Sequence, residues 1–169
     1  HPPPSPSYHT RTGEEIMQLG DSGGKDEVTV LVVGPDRAML ATGNHGGRIK
    51  LWKVSGTEGK EVVTLSGHRA AVTAAKFIEG GALLVSGSQD TDVIVWDVVA
   101  EAGVVRLHGH TGPVTDIAHL ESENLLLTAS KDTLVKVWDL VTQHCVQTIV
   151  GHRTEVHSLA LSPDESRLY

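Results

Sequence analysis

Apolar residues cluster in short runs along most of the chain, and polar, turn-forming residues separate those runs. Val93-Ile94-Val95-Trp96 and Leu134-Val135-Lys136-Val137-Trp138 are rich in β-branched and aromatic side chains, and each follows a turn cluster, Gln89-Asp90-Thr91-Asp92 or Lys131-Asp132-Thr133. Runs this short, bounded this way, are strands rather than helices. The spacing predicts four strands per unit, near 71-77, 82-87, 92-97 and 103-107 in the clearest unit and near 113-119, 124-129, 134-139 and 144-149 in the next. Small residues recur on the second strand, Ser86-Gly87-Ser88 and Thr128-Ala129-Ser130, as sheets packed closely around a central channel require.

The units are in phase with one another. Gly67-His68, Gly109-His110 and Gly151-His152 recur every 42 residues, and Trp52, Trp96 and Trp138 follow at intervals of 44 and 42. Trp96-Asp97 and Trp138-Asp139 complete the pattern. A β-sandwich also has many short strands, but it has no reason to hold Gly-His, Asp and Trp in register. From about residue 27 onward the chain resembles the WD40-repeat proteins. The resemblance implies an all-β fold, a partial WD40 β-propeller of about three four-stranded blades plus the start of another. Residues 1-14, Pro-rich and non-periodic, are expected to be a disordered or extraneous lead. Residues 15-169 are then an incomplete propeller, with blades near 28-65, 71-107 and 113-149 and an incomplete one at 155-169. The chain is expected to be too short for a whole ring.

In WD40 propellers the phased residues form a buried hydrogen-bond chain. By that resemblance His68, Ser88, Asp90 and Trp96 form one structural tetrad, and His110, Ser130, Asp132 and Trp138 a second. His152 opens a third, whose other members would lie past Tyr169. The chemistry suits a chain: indole N–H only donates, a hydroxyl accepts and passes on, imidazole does both, and carboxylate only accepts. Ser, His and Asp together also suggest a hydrolase triad. A catalytic set is needed once, however, and this one recurs with each blade, so the structural role is preferred and no enzyme activity is expected. The earliest unit departs from the pattern: Trp52 is present, but Asn44 stands for Ser, Gly46 for Asp, and no Gly-His precedes Val28. Its network is expected to be absent or rebuilt, and its blade the least stable.

Composition narrows the function. Fourteen Lys and Arg against 21 Asp and Glu leave a net charge of -7, the wrong balance for a domain that holds nucleic acid by neutralising phosphates. Any RNA contact is expected to be local or shared with partners. The one cysteine, Cys145, has no partner for an internal disulfide, which points to a reducing compartment. The apolar runs are far shorter than the roughly 20 residues that span a bilayer, no secretory signal peptide is visible, and no membrane association is expected.

Three short strings invite other interpretations. Gly20-Asp21-Ser22-Gly23-Gly24 matches the sequence around a trypsin-like nucleophile but lacks the long β-barrel stretches that should precede it. Gly20 to Lys25 approaches a phosphate loop, yet is one residue short and has Asp26 where Ser or Thr would hold magnesium. His108-Gly109-His110 has the alternation of a metal pair without a third ligand. No cofactor or metal is expected.

A propeller hosts many functions, so the task must come from surface residues. Loops on one side of the disc present Arg69, Lys131 and Arg153, with Arg48 nearby; these are candidate partner-binding residues, although exposed cations are by default simply solvated. The segments Ser86 to Asp97, Lys131 to Leu140, Thr142-Gln143-His144-Cys145 and Gly151 to Val156 resemble the large WD-repeat proteins of the U3 small nucleolar ribonucleoprotein. Gln143-His144-Cys145 and Arg153-Thr154-Glu155 carry that resemblance, because a generic blade does not require them. His157 departs from it, standing where an aromatic residue is expected. The resemblance implies a nucleolar, non-catalytic scaffold of the small-subunit processome, acting in ribosomal RNA processing and 40S ribosome biogenesis. Its implied partners are other processome proteins, including other WD-repeat subunits, with contact to U3 small nucleolar RNA or pre-ribosomal RNA. The competing expectation is a WD40 adaptor in signalling or ubiquitin-ligase substrate recognition, which an Arg cluster converging on the channel mouth would favour.

Overall fold

The structure is a computed structural model that describes the backbone of residues 5–8 and 15–19 and the whole of residues 27–169. The strings Gly20-Asp21-Ser22-Gly23-Gly24 and Gly20 to Lys25 lie outside the described residues. Part of the segment expected to be an unstructured lead is strand: β1 (Ser5–Tyr8) pairs antiparallel with β2 (Glu15–Leu19).

Among the described residues, twelve further strands form three four-stranded antiparallel sheets, each ordered as the chain runs. Blade I is β3 (Val28–Val33), β4 (Met39–Asn44), β5 (Arg48–Ser55) and β6 (Glu58–Ser66). Blade II is β7 (Val72–Ile78), β8 (Leu83–Ser88), β9 (Val93–Asp97) and β10 (Ala102–Leu107). Blade III is β11 (Val114–Leu120), β12 (Leu125–Ser130), β13 (Val135–Asp139) and β14 (His144–Ile149). Chain-order pairing follows from short connections, which allow each strand only its predecessor as an antiparallel neighbour. After β14 the chain lies along blade III: Leu159 N–H donates to Asp116 Oδ2 at 2.7 Å, and Leu161 forms a bridge with Leu168.

The core sits between blades rather than within them, since a single sheet has two faces to cover. Val72 at the start of β7 packs with Ile49, Leu51 and Leu65 of blade I, and Val114 at the start of β11 packs with Val85, Val93 and Val95 of blade II. Val156 does the same for blade III, against Ala129 and Val135. Contact this close needs small residues facing it. A side chain at Gly43 would place its Cβ 2.7 Å from Val72 Cβ, and one at Gly87 would run into Val114 in the same way.

The first strand of each blade carries a bulge at the same place, between Val28 and Val30, Val72 and Ala74, and Val114 and Asp116. The residue set free is a threonine each time. Thr29 Oγ1 donates to the carbonyl of Val72, Thr73 to that of Val114, and Thr115 to that of Val156. A bulge releases one residue from the ladder, and here that residue ties one blade to the next. Thr73→Val is expected to cost about 1 kcal/mol, the usual net worth of one hydrogen bond. The urea midpoint of the full-length protein measures it; an unchanged midpoint would mean that apolar contacts alone hold the seam.

Candidate functional site

The buried chains of blades II and III assemble from four places: the loop before the first strand, the second strand, the turn leading into the third, and the third strand itself. In blade II, Trp96 Nε1 donates to Ser86 Oγ at 2.8 Å, Ser86 Oγ lies 2.7 Å from His68 Nε2, and His68 Nδ1 lies 3.0 Å from Asp90 Oδ2. In blade III, Trp138 Nε1 donates to Thr128 Oγ1 at 2.9 Å, Thr128 Oγ1 lies 2.7 Å from His110 Nε2, and His110 Nδ1 lies 2.7 Å from Asp132 Oδ2. A hydroxyl that accepts the indole N–H can pass its own proton to Nε2, which leaves Nδ1–H to donate to the carboxylate. In blade II burial favours this neutral form of the imidazole, because it lowers the pKa of His68.

These distances correct one member of each set. The sequence pattern points to Ser88 and Ser130 as the hydroxyls, but Ser86 and Thr128 occupy that place. Ser88 Oγ donates to the carbonyl of Ala70 at 3.0 Å and accepts the Asp90 amide at 3.1 Å, and Ser130 Oγ does the same with Gly112 and Asp132, at 2.9 and 3.1 Å. They brace the turn that holds the acid. Trp52 of blade I donates to Thr42 Oγ1 at 2.9 Å, so the hydroxyl end of the chain persists there. Asn44 Oδ1 accepts the Arg48 amide at 2.8 Å, close to where an acid would brace the turn. His152 is exposed.

Asp90 accepts more than the histidine: the amides of Arg69 and Asp92 donate to it at 2.8 and 3.0 Å. Asp132 accepts those of Thr111 and Leu134, both at 3.0 Å. Burial works to raise both carboxyl pKa values, but the amides and the imidazole together outweigh it and hold both below the ordinary carboxylate value. Burial, more than the opposing pull of Asp90, lowers the pKa of His68.

The signs give a pH dependence. A histidine held neutral in the fold contributes fully above its unfolded pKa of 6.5 and loses that contribution as pH falls through its lower folded value. The two aspartates contribute above 3.8 and lose it as pH falls through their depressed values. Stability is therefore expected to decline in two acid stages, the first beginning near 6.5 and the second below 3.8. Urea titrations at pH 7, 5 and 3 are the check (pH values about two units apart, to bracket both stages), and equal stability at the first two would contradict the neutral imidazole.

The aspartate of each Trp-Asp pair has a separate task that the sequence pattern does not assign. Asp97 Oδ1 accepts the amides of Val99 and Ala100 at 2.9 and 2.8 Å, and Asp139 Oδ1 those of Val141 and Thr142 at 2.8 and 3.2 Å. Each closes the turn to the outer strand.

The polar groups of both sets are paired with one another, and the exposed cations lie apart from them on the loops. Arg48, Arg69, Lys131 and Arg153 are all exposed. Gly47, beside Arg48, is pressed against the next loop: a Cβ there would lie 2.7 Å from the His68 carbonyl and 2.8 Å from that of Ala70. Arg48 and Arg69 therefore border one seam, between blades I and II. Lys131 faces Glu155 Oε2 at 3.5 Å, which places it with Arg153 beyond blade III. At the intervening position Thr111 stands for Arg69, so the cations form two groups rather than one ring. His108 Nδ1 lies 2.6 Å from Asp92 Oδ1, and His110 is committed to its chain. Among the described residues no three His, Cys, Asp or Glu side chains gather as a metal would need, and no helix is long and apolar enough to cross a membrane.

Known proteins share this arrangement. The structure of U3-55K superposes with a TM-score of 0.74 at 24% identity, covering 81% of this chain and 43% of that one. The crystal structure of RRP9 WD40 repeats gives 0.74 at 25%, covering 81% and 42%. The CCR4-associated factor 4 homolog of Candida glabrata is 40% identical over 74 residues, 43% of this chain and 12% of that protein. The chain thus spans less than half of each of these proteins. A model of one family matches nearly the whole chain, residues 7–169, and on that match the chain belongs to the family of the WDR3 first β-propeller domain.

Proposed function

We propose that this chain is a non-catalytic scaffold of the small-subunit processome, acting in ribosomal RNA processing and 40S ribosome biogenesis with U3 small nucleolar RNA, in the nucleolus. The observation that carries the non-catalytic part is saturation. The Ser86–His68–Asp90 and Thr128–His110–Asp132 sets are duplicated and buried, and each polar atom is bonded within its own blade. A nucleophile locked between an indole and an imidazole has no face left for a substrate. The family match over residues 7–169 and the likeness to the RRP9 WD40 repeats support the processome part, together with the Gln143-His144-Cys145 and Arg153-Thr154-Glu155 segments.

The working surface in this reading is the loops and outer strands, which present Arg48, Arg69, Lys131 and Arg153 to other processome proteins, among them WD-repeat subunits. RNA contact is secondary, because a net charge of -7 does not favour phosphate. Affinity purification of the full-length protein, with identification of bound protein and RNA, tests this. Pre-ribosomal proteins and U3 small nucleolar RNA are the expected companions. Recovery of ubiquitin-ligase subunits in their place would overturn it.

A further inference from the structure

The outer strands β6, β10 and β14 each pair with a strand on one side only. Such an edge presents a row of N–H and C=O groups with which another extended chain can pair, and proteins guard it with charges, proline or bulges. All three outer strands bulge at the same place, which releases Val62, Val104 and Val146 from the ladder. The bulge therefore does not set one edge apart from another, and the difference between them is in charge.

Strand β6 carries Glu58, Lys60 and Glu61, and β2 lies beside it. Glu101 directly precedes β10, which contains Arg106. β14 has no such guard. Residues 140–152 include no Asp, Glu, Lys or Arg, in a chain of which 21% is charged. An uncharged run of this kind belongs in a core, yet residues 141–148 are all exposed. Val141, Val146 and Val150 are 77, 57 and 75% exposed, and of the side chains on β14 the core takes only Ile149.

The chemistry of this edge selects its occupant. A row of alternating N–H and C=O groups is matched along its length by another extended backbone. The occupant's side chains must be uncharged where they meet the strand, because a charge laid beside Val146 would lose water without gaining a counter-ion. Nucleic acid is a poorer fit, since β14 bears no Lys or Arg for a phosphate. Lys136, opposite Thr148 on β13, already bonds the Oγ1 of that residue at 3.1 Å.

We propose that β14 is a docking edge, to which an extended, uncharged, β-branched segment of a partner protein adds as a further strand of blade III. The proposal rests on the reading of the chain as a protein-binding scaffold and names where it binds and in what conformation the partner is held. Main-chain hydrogen bonds supply the affinity, and the exposed valines favour apolar, β-branched neighbours over charged ones.

The test uses the full-length protein and a labelled peptide of alternating threonine and valine, about six residues long with a lysine at each end. Fluorescence anisotropy reads binding, and hydrogen exchange reads the β14 amides. A second peptide, N-methylated along both edges, keeps every side chain and loses the backbone donors. On the protein side, His144→Lys with Cys145→Glu gives β14 the charges that β6 has at the same register, Lys60 opposite Lys53 and Glu61 opposite Trp52. Both replaced residues are exposed, and Lys136 stands where Lys50 holds Glu61 at 3.3 Å in blade I, so the variant is expected to fold. The plain peptide is expected to slow exchange in β14 about tenfold, and methylation or the double substitution to weaken binding about tenfold. Should the variant not fold, the methylated peptide decides alone. Four results overturn the proposal: no binding to the wild-type protein, equal binding of the methylated peptide, equal affinity of a folded variant, or β14 exchange that slows with protein concentration in the absence of peptide, as pairing of two copies would cause. Co-purification of processome proteins is scored in parallel on the wild type. If those proteins are captured while the peptide arm fails, only the edge proposal falls; if they are not captured, the scaffold reading falls with it.

Discussion

Valine in place of Thr128 is expected to destabilise blade III by about 3 kcal/mol. The exchange keeps the volume and removes one hydroxyl, but that hydroxyl serves two buried neighbours, the Trp138 indole and His110 Nε2. An indole N–H left without an acceptor in the interior costs about 1 to 3 kcal/mol, and the imidazole loses its donor as well. Ser130→Ala removes a hydroxyl just as buried. It should cost only about 1 kcal/mol, because Ser130 links the Gly112 carbonyl and the Asp132 amide, and Asp132 keeps its other partners. The ordering is the test. Hydrogen exchange of blade III amides reads it locally, without requiring the whole protein to unfold in one step. If Ser130→Ala proved the more damaging, the chain would run through Ser130 and the geometry described above would be wrong.

A single methyl group is expected to have nearly as large an effect at Gly87. Gly87→Ala would drive its Cβ into Val114 at the start of β11, where both sides of the contact are strand and neither can swing aside. Overpacking of this kind costs about 1 to 3 kcal/mol, and the upper end applies where backbone must move. The corresponding position in blade III is already Ala129, buried against Val156. Ala129→Gly should therefore leave a small void and cost about 1 kcal/mol. Exchange at the amides of β8 and β11 should rise together in Gly87→Ala, since the seam opens on both sides. Faster exchange in β8 alone would argue that the glycine serves its own strand and not the packing of blades.

The two substitutions probe features that differ in how far the sequence shows them. Strand positions, blade number and the Gly-His and Trp-Asp phase were all legible, because a two-residue period and a 42-residue repeat are properties of the chain read in one dimension. The need for small residues on the second strand was legible for the same reason. The choice of hydroxyl was not. Ser86 and Ser88 are two apart on β8 and so face the same side, as do Thr128 and Ser130 on β12. Composition and spacing cannot separate them.

What separates them is depth. Pairing of β8 with β9 sets Trp96 opposite Leu84, and its indole reaches along the sheet as far as Ser86 and no farther, while Ser88 lies at the turn beside Ala70. The threonines that tie blade to blade were hidden for a related reason, since a bulge is a fault in pairing and pairing involves two strands. The glycine opposite Trp96 was hidden in the same way, because only the register of β9 with β10 puts Gly103 against that indole. The amino-acid order by itself settled which residues recur and hence what architecture they build. The folded arrangement alone decided which of two equivalent neighbours makes each contact, because hydrogen bonds depend on distances of a few tenths of an ångström that a periodic pattern does not carry.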